Sequence, residues 1–124
     1  MDIYPCLTYR DVEAALDQLE AAFGLASVVY ERGEDGRVEL AAVTHGQGLV
    51  TIQSDDPTAL HGTHIGHGWI YVVVDDPDAH CARARAAGVT ILSEPHDAGD
   101  LRGYTARDLD GNVWTFGTAQ ISAT

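Results

Sequence analysis

The sequence predicts an α+β fold of two tandem modules, each running strand, helix, strand, strand, strand. Three observations carry this. The chain has 124 residues, room for one compact domain or two very small repeats but not two independent domains. Apolar residues recur at helical spacing in two short stretches and at strand spacing elsewhere. The punctuation between these stretches also repeats. Asp11 before the first helix has its counterpart 65 positions on in Asp76, and Gly24 has its counterpart 64 positions on in Gly88. The turn at Gly46–Gly48 lies about 64 positions before Asp110–Gly111. One domain over 1–124 is therefore expected, with a first module at about 1–54, a linker at 55–68 and a second module at about 69–118.

Ile3–Tyr9 reads as the first strand, short and rich in β-formers. Asp11 is placed to cap a helix to about Phe23, with Val12, Ala15, Leu16, Leu19, Ala22 and Phe23 as its apolar stripe and Gly24 as its stop. Ala26–Glu31 reads as a strand, and Asp35-Gly36 as a hairpin turn. Val38–Thr44 and Leu49–Ser54 complete the first module. Polar Asp55–Gly68, rich in Gly and His, reads as the linker. Trp69–Val74 is a strongly apolar strand. Asp75 or Asp76 caps the second helix, Pro77 opens it, and it runs to about Ala87 before Gly88. Val89–Leu92 is a strand, Pro95–Asp100 a loop, and Tyr104–Asp108 and Val113–Phe116 are strands joined through Asp110-Gly111.

Composition narrows the function classes. Nineteen acidic and seven basic residues give a formal net charge of −12. That argues against nucleic acid and against an anionic membrane surface, both of which favour a basic face. A hydrophobic content of 45% is ordinary for a globular domain and argues against disorder. No apolar run is long enough to span a membrane, and Met1–Pro5 lacks the basic start and apolar run of a signal peptide. Cys6 and Cys81 lie far apart with no CxxC, which fits a cytoplasmic protein with reduced thiols, both read as small buried residues.

Four blocks carry a family resemblance. They are Leu7-Thr8-Tyr9-Arg10-Asp11 leading to Ala21-Ala22-Phe23-Gly24, Tyr71–Ala79, Ala86-Ala87-Gly88-Val89, and Gly103–Gly117 with its Arg107-Asp108-Leu109-Asp110-Gly111-Asn112 core. The chain resembles the vicinal oxygen chelate superfamily: glyoxalase I, extradiol dioxygenases, fosfomycin-resistance enzymes and bleomycin-resistance binding proteins. It looks closest to the small bleomycin-resistance-like members. The resemblance implies two curled sheets around a cleft and a homodimer with ligand sites at the subunit interface. It does not choose a reaction, since the fold hosts lyases, dioxygenases, transferases and binders.

Enzymes of this superfamily use a divalent metal, which needs imidazole or carboxylate ligands. The resemblance puts the ligand positions at Tyr4, near Thr51, at Trp69 and at Thr115, and none is His, Asp or Glu. No cofactor is therefore expected. A divalent metal held by His67 and Gln53 is the alternative, within a lyase, isomerase or dioxygenase. His61, His64 and His67 form an H-x2-H-x2-H run that reads as a loop. His45, His80 and His96 read as surface groups.

Strand alternation sorts the remaining side chains. Leu7, Val50, Ile52, Ile70, Val72, Val74, Trp114 and Phe116 should pack on the helices, with Tyr9 and Tyr104 also inward. Tyr4, Cys6, Thr8, Thr51, Gln53, Trp69, Tyr71, Thr105, Arg107 and Thr115 should face the cleft. Tyr4, Trp69 and Tyr71 can stack on flat rings, while Thr51, Gln53, Thr105 and Thr115 can orient a ligand. Arg107 can meet a carboxylate or phenolate, or pair with Asp108 or Asp110. Asp108 and Asp110-Gly111-Asn112 read as a structural turn. No acid–base pair or nucleophile set is visible. The expected function is metal-free binding of a small aromatic molecule, planar or, given the charge of −12, cationic, as in resistance by sequestration, with a small molecule and a second copy of the chain as partners.

Overall fold

A computed structural model describes residues 2–56, 58 and 64–121. The first module holds β1 (Cys6–Tyr9), α1 (Val12–Phe23), β2 (Ala26–Arg32), β3 (Val38–His45) and β4 (Gly48–Ser54). The second holds β5 (Trp69–Val73), α2 (Pro77–Ala86), β6 (Thr90–Ala98), β7 (Leu101–Arg107) and β8 (Val113–Gly117). The two four-stranded sheets are ordered β1-β4-β3-β2 and β5-β8-β7-β6. In each sheet the first and last strands of the module pair in parallel, and the other pairings are antiparallel. The α+β reading and the tandem repeat are both realised. No helix among the described residues is long and apolar enough to cross a membrane.

The caps act as their residue types dictate. The Asp11 carboxylate accepts from Ala14 N at 3.1 Å, and that of Asp76 from Ala79 N at 3.1 Å. Asp76, not Asp75, is therefore the cap of α2. Gly24 ends α1 with φ +71°, a conformation that costs glycine little.

Helix α1 has no basic residue in its last turn. The second module supplies one. Arg83 on α2 donates to Glu20 O and Ala21 O at 3.0 Å, and His80 donates Nε2–H to Phe23 O at 2.9 Å. Three carbonyls at the end of one helix are thus satisfied by the other. His80 is consequently half-buried, and its surface assignment is corrected. Its ring packs on Phe116 at 4.3 Å and is stacked on Phe23, and Nδ1 accepts from Tyr104 Oη at 2.5 Å. His45 is exposed as expected, and its Nε2 donates to Val73 O at 2.8 Å, tying the end of β3 to β5. His96 stays exposed, with Nδ1 on its neighbour Glu94 O.

One core joins both modules. Leu7, Tyr9, Val50 and Ile52 from the first sheet share it with Val72, Val74, Tyr104, Trp114 and Phe116 from the second, with α1 and α2 between. Ile70 is half-buried against its margin. At the opposite end from His80, the turn after β7 reaches into the first module. Asp108, 5% exposed, accepts from Tyr9 Oη at 2.5 Å, Trp114 Nε1 at 2.9 Å, Asn112 N at 3.0 Å and Asp110 N at 3.1 Å. Asp110 accepts from Arg10 N and Arg10 Nη1 at 2.8 and 3.0 Å, and Gln18 Oε1 accepts from Leu109 N at 2.7 Å. Asn112 Oδ1 takes Gly68 N at 2.8 Å, anchoring the start of β5. Burial, with the Asp108 charge behind it, pushes the Tyr9 pKa well above the usual tyrosine range.

Three further readings change. The first strand begins at Cys6 rather than Ile3. Pro5 has no N–H to give, and the ladder ends with its carbonyl accepting Thr51 N at 2.9 Å. Pro95–Asp100 is the tip of a long hairpin rather than a loop. Pro95 lies on edge strand β6 within a register shift between Ser93 and His96, where it costs no ladder bond, and Gly99 turns the chain at φ +60°. Cys81 is buried as expected, but Cys6 is exposed.

Three stability tests follow. Asp108→Ala orphans the Tyr9 hydroxyl and the Trp114 indole in the core, so urea denaturation should show a loss of about 2–5 kcal/mol. Asp97→Ala, removing an exposed partner of Arg102, should cost about 0.5 kcal/mol or less. Burial, ahead of the positive charges of Arg83 and His45, lowers the His80 pKa in the folded chain. The unfolded chain then takes up more protons below about pH 6.5, and stability falls as pH drops through that value toward the lower folded pKa. The gap in urea midpoint between wild type and His80→Gln should narrow from pH 7.5 to pH 5; a constant gap would contradict a neutral, Nε2-protonated His80.

Candidate functional site

Both sheets lay one face on the helices, so their other faces look outward from the shared core. The register places the expected site residues on these faces. On the second sheet Trp69 pairs with Val113 and Val113 with Arg107, making one row across β5, β8 and β7. Tyr71, Thr115 and Thr105 make the next row. On the first sheet Cys6 pairs with Thr51, and Thr8 with Gln53.

The second face is built around Thr115. Trp69 Nε1 donates to Thr115 Oγ1 at 2.9 Å, and Thr115 Oγ1 lies 3.1 Å from Thr105 Oγ1. An indole N–H only donates, so Thr115 accepts from it. The two hydroxyls share one hydrogen between them, which leaves one O–H to donate outward. The indole is fixed at its nitrogen yet 74% exposed. Arg107 is exposed at the far end of the same row, and among the described residues it forms no ion pair. The expected pairing with Asp108 or Asp110 is not made, because Asp108 is turned into the core and Asp110 is held by Arg10.

Tyr71 is half-buried and committed. Its hydroxyl donates to Ala119 O at 2.7 Å, and the ring lies so close over Gly117 that a Cβ there would meet the hydroxyl at 2.8 Å. Tyr4 falls outside the strand, and its hydroxyl donates to Asp2 at 3.2 Å. Thr51 and Gln53 are half-buried on the first sheet, with Thr51 Oγ1 donating to Pro5 O at 3.3 Å and Gln53 Nε2 donating to Thr51 Oγ1 at 3.5 Å.

Within one chain, then, the eight expected residues do not make one cleft. Trp69, Thr105, Arg107 and Thr115 form a cluster with Tyr71 at its edge, and Thr51 and Gln53 form a second on the other sheet. Tyr4 and Tyr71 also border a groove of about 1370 Å³ between the N-terminal segment, the β3–β4 turn, β5 and α2. Leu25, Val50, Val72 and His80 line it as well. Sequence reasoning missed His80, although Pro77, His80, Cys81 and Ala84 follow the helical spacing of one inward face.

The residues at the positions that the resemblance marks for metal ligands do not fit a metal. They offer a phenol, two alcohols and an indole whose nitrogen carries its hydrogen, and Thr115 Oγ1 already has two partners. Among the described residues no group of three or more His, Cys, Asp or Glu stands together as a metal site. His67 lies just before β5 and Gln53 on β4 of the other sheet, so the two alternative ligands belong to different modules. Of the histidine run, His61 lies outside the described residues.

The fold has many solved counterparts. TioX from Micromonospora sp. ML1 is 27% identical over 100% of both chains, with a TM-score of 0.77. TnmS3, an antibiotic binding protein from Streptomyces sp. CB03234, is 21% identical over 97% of this chain and 98% of that one, with a TM-score of 0.69. A superfamily member from Sphaerobacter thermophilus DSM 20745 is 20% identical over 96% and 98%, with a TM-score of 0.74. No curated protein matches the sequence. The sequence pattern of the Glyoxalase/Bleomycin resistance protein/Dioxygenase superfamily matches residues 4–116, and the chain belongs to that superfamily.

Proposed function

We propose that this protein binds a small aromatic molecule without a metal and acts by sequestration, as a resistance-type binder of an aromatic natural product. The observation that carries this reading is Trp69. Its indole is held by the Thr115 hydroxyl on a regular strand, yet most of its surface meets solvent. A rigid exposed aromatic face beside orienting hydroxyls suits stacking on a planar ligand. The side chains around it supply no acid–base pair and no nucleophile. The fold shared with TnmS3, itself an antibiotic binding protein, supports the same reading.

Each chain presents two separate half-sites on outward sheet faces, so a complete cleft calls for a second copy. A homodimer bringing the Thr51 and Gln53 face of one protomer to the Trp69 face of its partner is part of the proposal. Two free cysteines, one of them exposed, suit a reducing cytoplasmic setting.

The test is tryptophan fluorescence against a panel of planar aromatic antibiotics. Trp69 is exposed and Trp114 buried, so a stacking ligand should quench the exposed component. Saturable quenching with Kd below about 100 μM is expected, with affinity reduced about tenfold or more in Trp69→Ala. Metal content by plasma mass spectrometry should be far below one ion per chain. No saturable binding across the panel, or about one tightly held ion per chain, would overturn the reading.

A further inference from the structure

We infer that the ligand of the Trp69 face is an anionic aromatic: a flat ring system bearing a carboxylate or an ionised phenol, which Arg107 receives. This rests on the reading of that face as the ligand site and adds the charge of what it takes.

Most of the chain's cations are already committed. All seven basic residues are arginines, set against nineteen acids. Arg10, Arg32, Arg85 and Arg102 stand in ion pairs, with Asp110, Glu13, Glu94, and Asp78 together with Asp97. Arg83 caps the carbonyl end of α1. Only Arg37 and Arg107 form no side-chain hydrogen bond or ion pair among the described residues. Arg37 lies in the β2–β3 hairpin. Arg107 lies on the outer sheet face in the row Trp69–Val113–Arg107.

In a chain this acidic, an arginine without a carboxylate partner is unusual, because acceptors are plentiful. The nearest acids in sequence, Asp108 and Asp110, are directed to Tyr9 and Trp114 and to Arg10 respectively. They are held by the interface between modules and do not swing back to Arg107. The guanidinium therefore keeps its planar set of donors for an external acceptor, and a bidentate carboxylate is the partner that geometry matches best.

The row also sets the shape of the ligand. Adjacent strands are about 4.8 Å apart, so Trp69 and Arg107, two strands apart, have backbones separated by about 10 Å. A ring stacked on the indole would extend over the apolar, half-buried Val113 toward the guanidinium. The hydroxyl pair of Thr115 and Thr105, one row away, offers its remaining O–H to a ring oxygen between the two ends. The remote field of a −12 chain opposes any anion, but at 0.1 M salt that field is screened beyond about 10 Å and the local pair dominates.

The experiment compares 2-naphthoate with 2-naphthamide, which share a ring system and differ in charge. Binding is measured by calorimetry at 0.1 M salt on wild type, Arg107→Gln, Arg37→Gln and Trp69→Ala. Both arginines are exposed, and circular dichroism checks that each variant keeps the fold. Naphthoate should bind about tenfold or more tighter than naphthamide to wild type, in line with a charge-assisted pair. Arg37→Gln should keep that preference, although it changes the net charge equally. Arg107→Gln should abolish it, and Trp69→Ala should weaken both compounds alike. Equal affinities in wild type, or a preference that survives Arg107→Gln, would overturn the inference and leave the aromatic-binding reading standing. Failure of both naphthalenes while uncharged members of the antibiotic panel still bind through Trp69 would do the same. If nothing aromatic binds at all, the reading and the inference fall together.

Discussion

The structure depends on a single buried carboxylate. Asp108 gathers the Tyr9 hydroxyl, the Trp114 indole and two backbone N–H groups of its own turn. Two of these donors are side chains in the core, and they come from different modules. A sheet buries only one face in its own module, and each module is too small to build a full core from that face. The second module supplies the missing cover, and Asp108 sets how it docks. Unmet, the polar tips of Tyr9 and Trp114 would make that shared core costly. Arg83 and His80 complete the joint at the other end by satisfying the open carbonyls of α1.

That joint decides where function can sit. Because α1 and α2 lie between the sheets, each sheet has one face spent on stability and one free. The positions that the family resemblance marks for metal ligands fall at Tyr4, near Thr51, at Trp69 and at Thr115, on the faces turned away from the helices. None of these four side chains takes part in the shared core, so the fold places little constraint on their chemistry. Thr115 illustrates the division: its neighbours Trp114 and Phe116 are fully buried, while its own hydroxyl faces out and holds Trp69. One strand thus alternates between holding the fold and presenting polar groups outward.

Charge follows the same division. Arginines that touch both modules, Arg10 and Arg83, close turns and helix ends. Arg102 and Arg85 tie the long β6–β7 hairpin, one through Asp78 and Asp97 and the other through Glu94. The excess acids lie mainly outside these contacts and give the chain its net charge. They do not determine the fold, and they leave the character of the free face to a few individual residues.

Local sequence determined much of this protein. The helices, the caps at Asp11 and Gly24, the tandem repeat and the in–out alternation of the strands were all legible, because each rests on spacing or on the conformational needs of one residue, while the cap of α2 stayed open between Asp75 and Asp76 until the structure placed Asp76 there. The inward turn of Tyr9, Tyr104, Trp114 and Phe116 was legible for the same reason. What was not legible depends on partners far away in the chain. His80 read as a surface group because its partners are Phe23 and Tyr104. Pro95 read as the start of a loop because its place on an edge strand is a property of the sheet. Asp108 read as a turn residue because Tyr9 is 99 positions away. Within one chain the eight residues fall on two sheets and the N-terminal segment, since alternation names the side of a sheet but not which sheets face each other. Spacing along the chain determined each module, and only the packing of one module on the other decided what the remaining faces could meet.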